Sequence, residues 1–514
     1  MNVAILGEEN VERFGEYEAL IFEDQTFTNV QMLDRARRFA TALAGIGIKA
    51  GDRVGVMLPN VPEVSVSYGA VNRVGAVNIP MIFLLAVPEI THILEDSEAA
   101  AIITSPEFYP NVAQASAALK VPPKIIVAGD VVPEGALSFS GLLEQATEAH
   151  PLVDRSDDDL AVVSYTSGTT GRPKGVMLTH GNMIFQGRNT STILDVQEGD
   201  RAIGCLPLAH LFGLGSTLTA QMHKATGILL RWFTAEGFFD AVQRYGARSS
   251  GVVPTMLTFM LSHPEFDNVD WSTMRWVICG AAPLPVELAE EFEKRTGARV
   301  LEGYGLTETS PAAALTRMSD PRKPGSTGRA VPNVQIRAVD DQGNDVPTGE
   351  PGEIIIKGPN IMKGYYRMPE ATDAAIKDGW FYSGDIGHLD DEGFVYITER
   401  KKDLIIRGGF NIFPRDIEEL LYEHPGVLEA AVVGVPDPKM GEEVVAYITP
   451  RGEPVVTEED ILSFCRERLA KYKTPKYVKF IPALPKNAIG KILKKDLREM
   501  AKSDPAVAAA PASG

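Results

Sequence analysis

Two apolar runs, Leu160-Ala161-Val162-Val163 and Val176-Met177-Leu178, bracket a segment too small and polar to enter a core: Ser164-Tyr165-Thr166-Ser167-Gly168-Thr169-Thr170-Gly171-Arg172-Pro173-Lys174-Gly175. The flanks read as strands, so the segment is the loop that joins them. Its glycines let the backbone turn N–H groups inward, its hydroxyls add donors, and Lys174 brings a mobile positive charge. That is the composition of a phosphate cradle. A Walker-type loop needs Gly-Lys followed by Ser or Thr and then a helix, whereas here Pro173 precedes the lysine and Gly175 follows it. Phosphate binding is expected without that fold. A flexible linker is the plainer alternative, but Ser/Gly linkers seldom close on Arg-Pro-Lys-Gly between two apolar strands.

Around the loop the pattern is that of βαβ units. Thr28-x-x-Gln31 has the form of a capping box, and Leu33, Ala36, Ala40 and Leu43 follow at helical spacing until Gly45. Strand signals at 53–58, 76–79, 100–104 and 124–128 alternate with helical ones at 63–73, 88–96 and 142–148. Beyond the loop come helix 181–194, strand 201–205, strand 276–278, helix 286–295 and strand 299–301. Past Gly325, short strands at 334–339, 353–357 and 394–398 read as a β-rich subdomain. The charged stretch Glu399-Arg400-Lys401-Lys402-Asp403 then leads to helices at 415–422 and 458–470 and strands at 430–435, 444–449 and 477–481. A chain of 514 residues exceeds what one core usually serves. The expected architecture is α/β: a large N-terminal domain over 1–400 with βαβ-type and β-rich subdomains, a smaller α+β domain over 401–500, and a disordered Ala/Pro-rich tail over 501–514.

A net charge of −18 argues against nucleic-acid binding, which needs a surplus of Lys and Arg to displace counterions. An anionic ligand must therefore meet local basic groups. Lys471, Lys473, Lys476, Lys479, Lys486, Lys491, Lys494 and Lys495 form one such run, either a solvated face or a phosphate-facing surface. Cys205, Cys279 and Cys465 stand far apart among apolar residues and give neither a disulfide framework nor a metal cluster. No apolar run approaches the ~20 residues of a membrane span, and the N-terminus lacks the basic segment of a signal peptide. A cytoplasmic protein is expected.

Three further segments carry chemistry. Cys279-Gly280-Ala281-Ala282-Pro283 follows an apolar strand, and its small residues would let a flat ligand approach the backbone. In Glu302-Gly303-Tyr304-Gly305-Leu306-Thr307-Glu308, Tyr304 offers an aromatic face, and Thr307 and Glu308 offer oxygens suited to Mg²⁺. Asp385, in Tyr382-Ser383-Gly384-Asp385, reads first as a turn residue and second as an acceptor for ribose hydroxyls. His210 lies in Leu206-Pro207-Leu208-Ala209-His210-Leu211-Phe212-Gly213 and, on that setting alone, reads as a core histidine.

Taken in chain order, Tyr165 to Gly175, Tyr304 to Glu308, Tyr382 to Asp385, Arg400 with Lys402-Asp403, and Pro485-Lys486-Asn487-Ala488-Ile489-Gly490-Lys491-Ile492 resemble the motifs of the adenylate-forming superfamily. That superfamily comprises acyl-CoA synthetases, firefly luciferases and peptide-synthetase adenylation domains. The likeness spans nearly the whole chain, and Gly408-Gly409-Phe410-Asn411-Ile412-Phe413-Pro414 is similar to the run found in its fatty acyl- and aryl-CoA ligases. The resemblance implies that a small-molecule carboxylic acid attacks the α-phosphate of ATP, releasing pyrophosphate, and that coenzyme A then displaces AMP from the acyl-AMP. It also implies roles. Thr166, Ser167, Gly168, Thr169, Thr170, Gly171 and Lys174 would hold the β- and γ-phosphates, and Mg²⁺ would sit on Glu308 with help from Thr166. Gly280, Ala281 and Tyr304 would flank adenine, Ala282, Glu302, Gly303, Gly305 and Thr307 would add to the ATP/AMP site, and Asp385 and Arg400 would bind the ribose. Lys491 would bridge the carboxylate and the α-phosphate, and His210 becomes a wall of the acyl tunnel. A hinge at Lys402 would rotate the small domain, exchanging Lys491 for a pantetheine tunnel lined by Gly408 and Gly409, beside Met440.

The chain departs from the common pattern at Glu399 (often glycine), Lys402 (often aspartate) and Ser383 (usually threonine), and none of these removes a reacting group. The apolar stretch Val252 to Leu257 and the small residues at 280–282 point to an uncharged acyl group, a medium- or long-chain fatty acid first and an aryl or cinnamate-like acid second. Amino-acid activators of this superfamily carry an aspartate in the segment occupied here by Leu208 to Phe212, and there is none. Nothing singles out a luciferase. A non-catalytic scaffold would have lost Lys174, Glu308, Asp385, Arg400 or Lys491, and all are present. Homodimer formation is left open.

Overall fold

Thr28 caps the helix Asn29–Gly45 as its sequence predicts: its hydroxyl accepts from the Gln31 amide at 3.1 Å, and the Gln31 side chain accepts from the Thr28 amide at 2.9 Å. The apolar face of this helix, including Ala36, Phe39, Ala40 and Leu43, is buried and packs on the helix Pro62–Arg73. The computed structural model describes residues 1–166, 173–401, 403–408, 410–452, 456–487, 490–504 and 507. The expected phosphate-loop residues Ser167, Gly168, Thr169, Thr170 and Gly171, the expected hinge Lys402 and the expected coenzyme A contact Gly409 lie outside the described residues, as does most of the expected tail.

Among the described residues the strands form four sheets, and the chain is α/β with a large N-terminal and a smaller C-terminal domain. One eight-stranded sheet runs in space Gly364–Tyr365, Lys174–Thr179, Leu160–Thr166, Val77–Pro80, Arg53–Met57, Ala99–Thr104, Lys124–Val127, Leu137–Ser138. A nine-stranded sheet has at its centre the parallel strands Arg299–Tyr304, Trp276–Cys279, Ser249–Val252 and Arg201–Gly204. Successive parallel strands need crossover helices, which is why the sequence alternates as it does. The β-rich segment is a five-stranded antiparallel sheet of Gln335–Val339, Gly352–Lys357, Trp380–Leu389, Ile376–Lys377 and Val395–Arg400. After Arg400 the chain enters the fourth sheet at Ile405–Arg407; its long hairpin Val427–Asp437 with Gly441–Pro450 centres the smaller domain. Cys205, Cys279 and Cys465 are all buried and free.

Three sequence readings need correction. The helix expected at 142–148 is Phe139–Gln145, because Ser138 caps it by accepting from the Gly141 amide at 3.0 Å. Residues 501–503, assigned to the tail, complete the helix Lys494–Ser503, whose Leu497 and Ala501 are buried. Most of the lysine run is not a bare solvated face, because five of its eight members are in ion pairs. Lys473, Lys476, Lys479, Lys486 and Lys494 pair with Asp416, Asp437, Asp504, Glu429 and Glu418 respectively. No described helix is long and apolar enough to cross a membrane.

Candidate active site

The candidate residues gather where ligands bind in parallel α/β sheets, at the carboxyl ends of the strands. Strand Leu160–Thr166 ends in Thr166, whose antiparallel register partner on the next strand is Lys174. Strand Gly364–Tyr365 adds to that edge, with Tyr365 opposite Val176, and the Lys174 ammonium lies 5.0 Å from the centre of the Tyr365 ring. The Tyr365 hydroxyl donates to Glu308 Oε1 at 2.9 Å. Tyr365 therefore links the cation of the expected phosphate loop to the carboxylate expected to hold the metal. Sequence reasoning missed this residue. Burial and the neighbouring carboxylate raise its pKa above the ordinary phenol value, so it remains a donor. The donor set fits Mg²⁺, which takes one or two carboxylates and leaves its other positions to phosphates and water. Among the described residues there is no ready-made cluster of three or more metal-binding side chains.

A second group forms around Asp385. Tyr304 donates to Asp385 Oδ2 at 2.7 Å, and Arg400 Nε lies 3.3 Å from Oδ1. Asp385 and Arg400 are register partners on neighbouring strands. The Asp385 amide donates to Ser383 Oγ at 3.1 Å while that hydroxyl donates to Ile354 O at 2.6 Å. Serine in place of threonine thus keeps the hydroxyl that shapes the turn.

The residues expected on the base side include two glycines in close backbone packing. A Cβ on Gly280 would lie 3.0 Å from Gly303 O, and one on Gly305 only 1.7 Å from Pro311 O. Ala281 holds φ at +69°, a conformation an L-residue adopts at a cost and one that is common at ligand sites. Thr307 opens the short 3-10 turn Thr307–Thr309 that carries Glu308. Ala282 is half-buried directly after the strand end.

His210 is not an ordinary core residue. It caps the helix Leu211–Ala220, and its Nδ1 accepts from the Phe212 amide at 3.2 Å. The residue is half-buried by surface, but its ring lies in dense protein. Burial, and then the positive charge of Lys491, push its pKa down to about 4. A neutral ring whose Nδ1 accepts carries its proton on Nε2. His210 can then donate to an anion but does not act as an acid at neutral pH. The residue before Lys491, Gly490, accepts at its carbonyl from Thr255 Oγ1 of the large domain at 3.0 Å, so this part of the small domain lies against the large one. Glu302 is raised to about 7, chiefly by burial and against the lowering effect of Arg415.

The expected coenzyme A residues lie elsewhere. The Gly408 amide donates to Met440 O at 2.7 Å, and the adjacent Phe410 ring stacks on Tyr472. Among the described residues, no hydrogen bond or ion pair joins Gly408 or Met440 to the nucleotide-side groups.

Residues 7–366 match the family described as AMP-binding enzyme, and residues 416–491 match the AMP-binding enzyme C-terminal domain. The chain is 38% identical over 475 residues to a feruloyl-CoA synthase of an Amycolatopsis species, covering 92% of this chain and 93% of that one. It is 35% identical over 517 residues to a long-chain-fatty-acid–CoA ligase of Bacillus subtilis, covering 95% and 92%. ATP-bound MatB from Rhodopseudomonas palustris superimposes with a TM-score of 0.90 at 33% identity, over 98% of this chain and 99% of that one. The apo form of the same protein gives 0.79 over the same shares. With the same partner protein in both comparisons, the difference is one of conformation, and the arrangement here is nearer to the ATP-bound one.

Proposed function

Because the chain belongs to the family of AMP-binding enzymes, we propose that it is an ATP-dependent ligase that joins an apolar carboxylic acid to coenzyme A through an acyl-AMP intermediate. The observation that carries this reading is the pair of groups built at the strand ends, Lys174–Tyr365–Glu308 and Tyr304–Asp385–Arg400. In the first step a carboxylate oxygen bonds to the α-phosphorus of ATP and the bond to pyrophosphate breaks. Two anions must meet, so the residues work mainly by neutralising charge and aligning the reactants. Lys174 is assigned to the outer phosphates, Asp385 and Arg400 to the ribose, and Lys491 to the forming bond. Tyr304, Gly280, Ala281, Ala282, Gly303 and Gly305 are assigned to the base. His210 donates from Nε2 near the carboxylate end of the acyl site. Mg²⁺ on Glu308 and Thr166 would screen the triphosphate.

In the second step the coenzyme A thiol attacks the acyl carbon and AMP leaves. We assign this step to a second orientation of the small domain, reached by rotation at Lys402, with Gly408, Gly409 and Met440 lining the pantetheine path. The two bodies would be 1–400 and 401–503, the latter ending with the helix Lys494–Ser503.

For the acyl group, a medium- or long-chain fatty acid is the first reading, supported by the similarity to the bacterial long-chain ligase and by the buried Val252, Val253 and Met256. An aryl acid is the second. It is favoured by the Phe212 ring, which would lie 3.5 Å from a Cβ on Gly251 and 3.6 Å from one on Gly280, a flat surface across two strand ends. Similarity to a feruloyl-CoA synthase supports it too. Pyrophosphate release measured over a panel of fatty, aryl and amino acids, with and without coenzyme A, tests both. Sustained release that depends on coenzyme A is expected with one apolar class. Turnover with amino acids, or none with any acid, would overturn the proposal.

A further inference from the structure

Lys491 sits on a segment of the small domain that touches the large domain at three points. Thr255 Oγ1 donates to Gly490 O at 3.0 Å. One helical turn further along the same helix, Pro254–Leu261, the exposed Phe259 ring lies 5.6 Å from the Lys486 ammonium. Three residues past Lys491, the Lys494 ammonium lies between Glu418 Oε1 at 3.0 Å and Glu399 Oε2 at 3.3 Å. Glu418 belongs to the small domain, but Glu399 ends the large domain's strand Val395–Arg400.

Local chemistry makes each contact specific. Gly490 holds φ at +77°, and a Cβ there would lie 3.3 Å from Thr255, so a larger residue would be strained and would crowd the contact. Phe259 is 56% exposed on a helix whose other apolar side chains are buried, and the Lys486 ammonium facing it is also held by Glu429 at 2.6 Å. Arg415 adds a bond across the same boundary, donating to Ile397 O.

We propose that Thr255, Phe259 and Glu399 are positioning residues for adenylate formation, which dock the two ends of the Lys491 segment onto the large domain. The proposal rests on the role of Lys491 given above. Glu399 occupies the place before Arg400 where glycine is frequent in related motifs. Here its carboxylate gives Lys494 a partner that is lost when the small domain turns away.

The test separates the half-reactions for the acid that gives most pyrophosphate release in the panel. Single-turnover acyl-AMP formation is measured by rapid quench, and transfer to coenzyme A is measured from supplied acyl-AMP. Thr255→Val and Glu399→Ala should each slow acyl-AMP formation by about tenfold, since small misplacement of a reacting group is costly. Transfer should stay within about twofold, a change too small to register against a factor of ten. Thr255→Ser, which keeps the hydroxyl, should restore the rate. Equal loss in both half-reactions, or no loss in either, would overturn the docking role. Lys491→Ala is run alongside. If it loses acyl-AMP formation while Thr255→Val and Glu399→Ala do not, only the docking proposal fails. If Lys491→Ala keeps the rate, the assignment of Lys491 fails and the docking proposal with it.

Discussion

Asp385 and Arg400 meet because they are register partners on adjacent strands of one sheet, whereas the Lys491 segment of the small domain is held against the large domain by contacts such as Thr255 Oγ1 to Gly490 O. The first pair is held by the ladder of hydrogen bonds around it, and the Asp385 side chain is only 5% exposed. Breaking it would mean unravelling part of the large domain. The second arrangement depends on a few side-chain contacts, each worth only about 1 kcal/mol, and can be undone while both domains remain folded. One region is suited to holding a nucleotide through both chemical steps. The other is suited to a group needed in only one of them.

The largest expected effect comes from the movable side. Lys491→Ala should slow acyl-AMP formation at least about 100-fold, as loss of a transition-state charge partner does elsewhere, while transfer from supplied acyl-AMP suffers far less. Equal losses would place Lys491 in a fixed site and erase the contrast. Glu308→Gln should lower turnover by about tenfold or more and raise the Mg²⁺ concentration needed, since an amide oxygen is a poorer ligand for a hard dication. Normal activity at low Mg²⁺ would remove Glu308 from the phosphate side.

A smaller effect is expected on the fixed side. Asp385→Asn keeps an acceptor for Tyr304 but removes the charge facing Arg400. It should raise the KM for ATP roughly tenfold and cost about 1–2 kcal/mol of stability. Both half-reactions should feel this change, in contrast to Lys491→Ala. A loss confined to acyl-AMP formation would contradict a fixed nucleotide site.

The smallest effect concerns Glu302, on the strand Arg299–Tyr304, whose burial pushes its pKa up to about 7 from an ordinary 4.5. The folded protein then binds this proton more tightly than the unfolded chain does. Stability from this group is present below the unfolded value and is lost as pH rises from about 4.5 to 7. Glu302→Gln should remove that slope, so its melting temperature should gain on the wild type by roughly 1–3 °C on going from pH 5 to 7.5. Glu287 and Glu399 are raised as well, so the difference between variant and wild type is what counts. An identical pH profile in both proteins would refute the buried, protonated state.

Much of the site was legible in short runs of residues. Capping boxes, strand ends and glycine-rich turns depend on neighbours a few positions away, which is why the helix at Asn29–Gly45, the strands flanking the phosphate loop and the turn before Asp385 were readable. Tyr365 was not, because its hydroxyl meets Glu308 across 57 positions and nothing local marks it. Thr255 looked like part of an apolar acyl wall until its hydroxyl was found on Gly490, 235 positions away. The pairing of most of the lysine run was not legible for the same reason: the carboxylates that neutralise those lysines lie tens of residues away along the chain.

The sequence alone determined the alternating α/β architecture, the family and the residue types available for phosphate, ribose and metal, because periodicity, turn chemistry and motif order are properties of contiguous segments. Only the tertiary structure decided which of those residues act together. It set the neutral Nε2–H form of His210, the bridge from Lys174 through Tyr365 to Glu308, and the docking of the Lys491 segment. Burial and charge proximity are sums over groups brought together by folding, and no local pattern encodes them.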